Sequence, residues 1–378
     1  MSGFIPVNEP LLDGNERAYL AECIETGWIS SEGPFVARLE EGMARLTGRA
    51  HGVAVTNGSE ALELAVEILG IGPGDEVIIP AFTIISCAAP IVRRGAIPVV
   101  ADADSRTWTM DVSALEALVT PRTRAIMAVH IYGLPVDMEP VLDFAARHGL
   151  SVIEDAAEAH GQMYRGRPCG SFGDVSVFSF YPNKHVTTGE GGMVLVDDDA
   201  LASAGRSKRN LCFEPERRFV HRELGYNMRM SNLQAAVGVA QLERLPEFIA
   251  RKRTMGERYT QLLADVPGLE LPAAETSYAH NDYWVYGLVL ADEVPADARE
   301  VMRRLAERGT GTRPFFYPMH LQPAFLERGL FAGVSCPVAE RLGERGFYIP
   351  SGLALTDAQI ERSAESVAGV MVELAGVR

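Results

Sequence analysis

The sequence predicts an α/β protein with two domains. From residue 51 onward, short apolar segments alternate with longer segments whose apolar residues recur at helical spacing, a pattern typical of strands followed by helices. The 378 residues, 47% of them hydrophobic, are sufficient for two domains with separate cores. At Pro246 the pattern changes to amphipathic helices and short strands. We therefore expect a large domain over 1–245, which includes an N-terminal arm packed in part on the other domain, and a smaller domain over 246–378.

Charge and cysteine content exclude several classes of protein. The formal net charge of −15, from 35 basic and 50 acidic residues, argues against nucleic acid or a membrane surface as a partner, because both require a basic footprint. The five cysteines form no CxxC arrangement, so we expect neither a disulfide framework nor a metal site. The N-terminal stretch has neither the basic nor the apolar region of an export signal, which favours a cytoplasmic protein.

The first 50 residues predict an extended arm over 4–10, a helix from about Asp13 and a second helix over 35–47. Trp28 and Ser30 lie in the loop between these helices. This glycine-bounded loop is either a simple packed turn or a ligand contact.

The first predicted strand, 52–56, leads through Asn57, Gly58 and Ser59 into a helix over 60–69. A strand that opens through such a turn into a helix presents free backbone N–H groups and the positive end of the helix dipole, which suits a phosphate. An ordinary helix cap explains the pattern equally well.

Further strands are predicted over 76–79, 98–102 and 125–130, and a helix over 138–147. Phe82 follows the first of these strands closely, at the carboxyl end where open α/β sheets hold their ligands. Its ring is either part of the core or stacked on a flat heteroaromatic ligand.

A fourth strand of this series, 151–154, ends at Asp155. A carboxylate at the end of a buried strand is costly unless it meets a positive partner. That partner is an arginine, a helix start, or the protonated nitrogen of a pyridine ring, which would then act as an electron sink. Glu158 and His160 lie in the same turn and can reach the edge of such a site.

The stretch 174–196 contains an apolar run, a glycine-rich polar loop with Lys184, and a second apolar run. The period-2 placement of its apolar residues predicts two strands of a buried sheet on either side of the lysine. Lys184 is either a solvated loop residue, as most lysines are, or a lysine whose amine is tuned by its surroundings to form a Schiff base.

Beyond Pro246, the sequence predicts a helix over 247–264, a strand over 284–290, and helices over 297–308 and 357–374. The loop 312–323 is rich in aromatic residues and proline, which is unusual for a simple linker.

Taken together, the separate features match one cofactor, pyridoxal 5′-phosphate. They are a turn for a phosphate (Asn57, Gly58, Ser59), an aromatic plate (Phe82), a carboxylate at a strand end (Asp155), a serine five residues before the lysine (Ser179), and Lys184.

The chain also resembles the DegT/DnrJ/EryC1/StrS family of sugar aminotransferases over nearly its full length. The resemblance is carried, in the family's order, by GWISSEGPFV, TNGSEALELA, PGDEVIIPAFT, EDAAEAHG, GDVSVFSFYPNKHVTTGEGG, GYNMRMSNLQAA and TRPFFYPMH. It implies the PLP-dependent transferase fold type I of aspartate aminotransferase. In that fold, the large domain holds a mostly parallel seven-stranded sheet between helices and the C-terminal domain is a smaller α+β unit.

The resemblance further implies roles for individual residues. Lys184 matches the Schiff-base lysine and Asp155 the partner of the pyridine nitrogen, so these two are the expected catalytic residues. The other expected cofactor contacts are Phe82 to the ring, Glu158 to the ring hydroxyl, and Gly58, Ser59, Ser179 and Asn227 to the phosphate. In this family Asn227 reaches the phosphate from the neighbouring subunit, which implies a homodimer with shared active sites. Substrate contacts are expected from Trp28, Ser30, Arg313 and His320.

The expected reaction is amination of a 4-keto-6-deoxy nucleotide sugar with L-glutamate as donor, with GDP-4-keto-6-deoxymannose favoured. The alternatives are a UDP- or dTDP-linked keto sugar, a PLP-dependent sugar dehydratase, and a non-catalytic regulator. Pro182 and His185 flank the lysine where the members most similar in motif more often have Gly and Thr, which leaves the substrate open. One family branch replaces the lysine by histidine and is a dehydratase. Ser179 and TTGEGG place Lys184, and not His185, at that position.

Overall fold

The computed structural model describes residues 3–214 and 216–374. Helices and strands alternate through much of this chain, which confirms the α/β prediction. The helices are α1 (Glu16–Thr26), α2 (Pro34–Thr47), α3 (Gly58–Ile68), α4 (Ala89–Arg93), α5 (Met138–His148), α6 (Asp199–Arg209), α7 (Asn232–Glu243), α8 (Leu245–Leu263), α9 (Ala298–Glu307), α10 (Pro323–Leu326), α11 (Pro337–Arg345) and α12 (Asp357–Leu374). The strands are β1 (His51–Val55), β2 (Glu76–Pro80), β3 (Ile97–Ala101), β4 (Thr123–Val129), β5 (Ser151–Asp155), β6 (Met163–Tyr164), β7 (Arg167–Pro168), β8 (Val175–Ser179), β9 (Gly192–Val196), β10 (Leu269–Glu270), β11 (Tyr286–Leu290), β12 (Arg313–Pro314) and β13 (Gly346–Ile349).

Seven strands of the described chain form one sheet in the order β1-β9-β8-β5-β4-β2-β3. The neighbours from β8 to β3 are parallel, whereas β9 is antiparallel to both β8 and β1. The mostly parallel seven-stranded sheet is thus confirmed. The two strands predicted around Lys184 are β8 and β9, paired from Ser176 opposite Leu195 to Ser179 opposite Gly192. Because β2, β4, β5 and β8 run in one direction, their carboxyl ends meet at a single edge of the sheet.

The connections that reach this edge have clear sequence causes. Asn57 caps α3 by accepting a hydrogen bond from the backbone N–H of Glu60, and the apolar face of the helix packs against the sheet.

Pro246 lies in the first turn of α8, where its missing N–H is tolerated. The break predicted at this proline is therefore the start of a helix that follows α7 almost directly.

A second, antiparallel sheet has the order β10-β11-β13-β12 and packs with α8, α9 and α12 around a separate apolar core. The N-terminal arm joins that core: Ile5 is fully buried in it, and its backbone bonds to Gly309 and Gly311. The division of the chain into 1–245 and 246–378 stays a prediction. Among the described residues, no helix combines the length and the apolar composition needed to cross a bilayer.

Aromatic side chains join the two sheets. The backbone N–H of Met319 donates a hydrogen bond of 2.8 Å to the carbonyl of Ala81. The aromatic and proline-rich loop 312–323 therefore packs beside the end of β2. The rings in mutual contact at this junction are Phe82, Trp108, Tyr132, Trp284, Phe315, Phe316 and Tyr348. The aromatic loop therefore packs against the edge at which the parallel strands end.

Candidate active site

A cavity of about 840 Å³ opens at the carboxyl edge of the seven-stranded sheet. It lies where ligands bind in open α/β folds. Half of the residues that the sequence predicted for the site line it, namely Gly58, Ser59, Asp155, Glu158, Ser179 and Lys184. They come from three separate parts of the chain, and the parallel strands bring them together.

Lys184 lies in the loop between β8 and β9, where its backbone N–H donates to the carbonyl of Tyr181. Its Nζ is 3.4 Å from Oε1 of Glu158 and 3.6 Å from the centroid of the Trp284 ring. Burial lowers the pKa of the Lys184 amine, against the opposing effect of the Glu158 carboxylate. A lowered pKa increases the fraction of neutral amine, which is the nucleophilic form.

The side chains of the other two lysines of the chain, Lys208 and Lys252, form contacts outside the cavity. Nζ of Lys208 forms ion pairs with Glu67 and Glu223 at 3.1 and 2.9 Å. Nζ of Lys252 is buried and donates to the backbone carbonyls of Trp284 and Ser351. Of the three lysines, only Lys184 lines the cavity.

Asp155 is the last residue of β5 and is 2% exposed. Its Oδ1 accepts a hydrogen bond from the backbone N–H of Ala157 at 3.0 Å, and its Oδ2 accepts from Sγ of Cys87 at 3.4 Å. Burial raises the pKa of this carboxyl group. Within residues 3–214 and 216–374 no arginine pairs with Asp155, and the positive charge of the nearby Lys184 opposes the rise in its pKa.

Glu158 is the acidic neighbour of both catalytic candidates. Its Oε2 accepts a hydrogen bond from the backbone N–H of Tyr132 at 2.8 Å, and its Oε1 faces Lys184. Burial raises the pKa of Glu158 to about 7. Burial thus drives both members of the Lys184 and Glu158 pair toward their neutral forms.

The start of α3 approaches β8 closely at Gly58. A Cβ added to Gly58 would lie 2.6 Å from Cβ of Ser179, so only glycine permits this approach. The helix N-terminus and the Ser179 hydroxyl therefore form one concave group of donors, which suits a phosphate. Nearby, the hydroxyls of Ser59 and Ser86 are 2.7 Å apart.

Two residues of the cavity wall carry buried polar atoms that lack a protein partner in the part of the chain that the structure describes. Oγ1 of Thr56 and Oδ1 of Asn183 are buried and have no hydrogen-bond partner among the described residues. Buried polar atoms are nearly always satisfied, so a ligand or ordered water is expected beside them. The start of α3, a buried lysine and a buried carboxylate in one cavity wall fit the phosphate, the aldehyde and the ring nitrogen of pyridoxal phosphate, and they indicate the class of a PLP-dependent enzyme.

Phe82, predicted as the plate against the ring, does not line the cavity. It is fully buried, with ring centroids of Tyr132, Phe315 and Phe316 within 5.8 Å. Two residues later, Ile84 is 46% exposed and does line the cavity. The sequence offered a signal for Ile84 only in its position beyond the strand end.

Three predicted residues on the surface do not line the cavity of this chain: Asn227, expected to reach the phosphate from the neighbouring subunit, and Trp28 and Ser30, expected to contact the substrate. Asn227 is exposed, and its backbone forms an isolated bridge with Asn210. Trp28 is 51% exposed and Ser30 is also exposed. The carbonyls of Trp28 and Ser30 accept hydrogen bonds from Asn232, which anchors their loop on the start of α7.

The other two residues expected to contact the substrate, Arg313 and His320, also lie outside the cavity lining. Arg313 is exposed on β12, and His320 is buried with its Nε2 2.9 Å from Oε1 of Glu340. The same loop reaches the cavity through Phe316. Trp284, which also lines the cavity, carried no signal that sequence reasoning recognised.

His185 is neither outward-facing nor part of the cavity wall. It is fully buried, its ring is 6.3 Å from that of His160, and the ring nitrogens of both residues have no hydrogen-bond partner within the described chain. Burial lowers the pKa of His160 to about 3 and that of His185 well below its usual range. Both imidazoles are therefore neutral packing groups behind the lysine loop.

One further cluster of ligand-type side chains, His130, Glu154 and Cys169, is buried away from the cavity. Its carboxylate is already saturated: Oε1 of Glu154 accepts from Gly170 and lies 2.9 Å from Nε2 of His130, while Oε2 accepts from Phe172 and Ser176. These bonds identify a structural network.

The chain belongs to the DegT/DnrJ/EryC1/StrS aminotransferase family, which it matches over residues 10–368. It is 43% identical to a GDP-perosamine synthase of Caulobacter vibrioides over 97% of this chain and 98% of that protein. A GDP-perosamine synthase of Escherichia coli O157:H7 is 40% identical over 96% and 98% of the two chains. Among solved structures, the aminotransferase TlmJ from Streptoalloteichus hindustanus superimposes with a TM-score of 0.91 at 32% identity, covering 98% of this chain and 100% of that one.

These likenesses confirm the family resemblance and the expected fold. The protein is a PLP-dependent sugar aminotransferase, as the family assignment and the cavity together indicate. The roles of the individual site residues stay predictions.

Proposed function

We propose that the protein transfers an amino group from L-glutamate to C4 of GDP-4-keto-6-deoxymannose. The observation that carries this proposal is the full-length likeness to two proteins named GDP-perosamine synthase, at 43% and 40% identity. The cavity supports it, because the lysine that lines it shares the wall with the proposed phosphate cradle and with the buried carboxylate of Asp155.

In the proposed mechanism, Lys184 is the nucleophile that holds the cofactor at rest and, once free, takes and returns the proton that moves during amine transfer. Asp155 keeps a proton on the ring nitrogen by accepting its hydrogen bond in a water-poor environment. The bound cofactor supplies an electron sink for the negative charge that develops on the substrate carbon. Glu158, 3.4 Å from Nζ, accepts a proton from the lysine or returns one to it.

Gly58, Ser59 and Ser179 are proposed to bind the phosphate at the start of α3. Ile84 is proposed to face the cofactor ring, because it lines the cavity where Phe82 does not. Phe82 then packs behind the cavity wall, as part of the aromatic junction between the two sheets.

The active unit is proposed to be a homodimer with shared sites. Support comes from the exposure of Asn227, Trp28 and Ser30, which leaves them available to a partner subunit. Ile24 and Ile29, 70% and 51% exposed, place further apolar surface beside Trp28. Arg313 is proposed to contact the nucleotide sugar at the cavity rim, and His320 to shape that rim through Glu340. The proposed location is the cytoplasm, with no nucleic-acid or membrane partner.

The test is an assay of the cofactor-loaded protein with glutamate and a panel of GDP-, UDP- and dTDP-linked keto sugars, with the products followed by mass spectrometry. Formation of the 4-amino sugar from the GDP substrate, faster than from the others, supports the proposal. Preference for a UDP- or dTDP-linked substrate would show that the proposed reaction is right and the proposed nucleotide is wrong. Loss of a sugar hydroxyl without amine transfer indicates a dehydratase, and cofactor binding without turnover of any substrate indicates a regulator.

A further inference from the structure

We infer that Trp284 is a positioning residue that holds the free amine of Lys184 beside Glu158 whenever that amine is not bonded to the cofactor. The inference rests on the proposed function in one respect, that Lys184 is the reactive amine. Trp284 lies 100 residues further along the chain, two residues before the start of β11 in the second sheet.

The indole contacts the lysine loop at two consecutive residues. Its ring centroid is 3.6 Å from Nζ of Lys184, within the range of a cation–π contact. Its Nε1 donates a hydrogen bond of 2.7 Å to the backbone carbonyl of Asn183. One side chain thereby fixes both the backbone before the lysine and the amine at the end of the lysine side chain.

Trp284 is itself held in place. Its backbone carbonyl accepts a hydrogen bond of 2.8 Å from Nζ of the buried Lys252 in α8. Its ring packs at 5.8 Å from the ring of Tyr132 and 6.5 Å from that of Tyr348, and the residue is only 4% exposed. Because these three contacts fix its orientation, the indole of Trp284 presents a preorganised contact surface to the amine.

The contact has a chemical consequence for the amine. The face of an indole attracts an ammonium group and has no such attraction for a neutral amine, so Trp284 favours protonated Lys184. Burial acts in the opposite direction. The charged or titratable groups that face this amine are Glu158, Asp155, Cys87, His160, His185 and Lys252. Removal of the indole leaves all of these in place and removes one contribution that favours the cation.

The test measures how fast the cofactor-free protein forms its covalent linkage with added pyridoxal phosphate, by absorbance, between pH 6 and 10. Attack requires the neutral amine, so the rate rises with pH to a midpoint that reports the pKa of Lys184. We expect Trp284→Leu to lower this midpoint by about one pH unit, and Trp284→Phe to lower it by about half as much, from the usual strength of a desolvated cation–π contact.

Trp108→Phe is the matched control. Trp108 belongs to the same aromatic junction, with its ring 5.2 Å from that of Phe315, but makes no contact with Lys184. It should leave the midpoint unchanged, even if it lowers the melting temperature, since a merely structural role affects stability and not the amine pKa.

A Trp284→Leu or Trp284→Phe protein that binds the cofactor with the wild-type midpoint overturns the inference. If Trp284→Leu does not fold, the smaller shift expected for Trp284→Phe still decides it. Borohydride reduction and peptide mapping of the wild type separate the two levels of proposal. If the mapping finds no label on Lys184, the proposed function is wrong. If Lys184 is labelled but the midpoints of the Trp284 variants are not shifted, only the role of Trp284 is wrong.

Discussion

The thiol of Cys87 donates a hydrogen bond to Oδ2 of Asp155 across 3.4 Å, and Oγ1 of Thr83 lies 3.3 Å from the same sulfur. The turn after β2 is thereby tied to the end of β5. At the other end of the cavity, the hydroxyls of Ser86 and Ser59 are 2.7 Å apart. Through its adjacent residues Ser86 and Cys87, the turn over 83–87 contacts both the proposed phosphate cradle and the carboxylate proposed for the ring nitrogen. Ile84, two residues before Ser86, is the turn's large apolar residue in the cavity wall.

Truncation of Ile84 should weaken cofactor binding. Ile84→Ala removes three carbon atoms from the wall that faces the ring, and we expect the dissociation constant for pyridoxal phosphate to rise about tenfold. Equilibrium titration followed by protein fluorescence measures it. Ile85→Ala is the matched control, because Ile85 is 39% exposed in the same turn but does not line the cavity.

Substitution of Phe82 should affect stability instead. Phe82→Leu leaves a partial void in the aromatic junction, at a cost of roughly 1–2 kcal/mol in the free energy of unfolding. Its cofactor dissociation constant should stay within about twofold of the wild type, since no atom of the cavity wall changes. If Phe82→Leu weakens cofactor binding while Ile84→Ala does not, Phe82 is the ring contact after all.

Lys184→Ala should abolish amine transfer. We expect the rate of amino-sugar formation to fall by at least about a thousandfold, because the variant lacks both the nucleophile and the proton carrier. Lys208→Ala is the control: that lysine forms ion pairs outside the cavity and should retain nearly full activity. Appreciable turnover by the Lys184 variant, at wild-type cofactor content, contradicts the assignment.

Gly58→Ala should damage the phosphate end of the cavity. The added methyl group would lie 2.6 Å from Cβ of Ser179, so the start of α3 must shift away from β8. An overpacking cost of roughly 1–3 kcal/mol corresponds to an affinity for pyridoxal phosphate that is about 5- to 150-fold weaker. At Gly72 an added Cβ meets no atom closer than 4.0 Å, so Gly72→Ala should bind normally. Equal affinities of the two variants would refute the proposed cradle.

Ionisation of the buried Glu158 should by itself lower the stability of the cofactor-free protein as the pH rises. Burial raises its pKa from an unfolded value near 4.5 to about 7. Between these values the folded state holds a proton on Glu158 that the unfolded chain has released, so this carboxyl group contributes a decrease of the free energy of unfolding with rising pH, on the order of 2 kcal/mol. The buried His160 and His185 contribute in the opposite direction, because their pKa values are lowered, so the contribution of Glu158 is obtained from a comparison of variants.

Denaturant unfolding at pH 4.5 to 7.5 measures this dependence. The free energy of unfolding of Glu158→Gln, which cannot ionise, should increase relative to that of the wild type over the same interval. Glu41→Gln is the control, since Glu41 is 68% exposed in a surface ion pair and the variant should follow the wild type. Parallel curves for the wild type and Glu158→Gln would show that Glu158 does not titrate in this range.

Much of the catalytic core was predictable from local sequence. Asp155 ends a short apolar strand, Lys184 lies between two such strands, and Gly58 opens a helix after a third. Because the strands that carry these groups end at one edge of the sheet, residues placed at their ends must meet there. A short continuous apolar run and the polar residue or turn that ends it are features of a few neighbouring residues, so the sequence alone determined this part.

Only the tertiary structure decided which neighbouring residues face the cavity. The choice between Phe82 and Ile84 depends on a turn whose path is fixed by bonds to Asp155 and Ser59, both remote in sequence. Trp284 reaches Lys184 from the second sheet, and no local pattern records a contact across 100 residues. Strand ends are set by nearest neighbours along the chain, whereas the walls of the cavity are set by the packing of segments that the sequence keeps far apart.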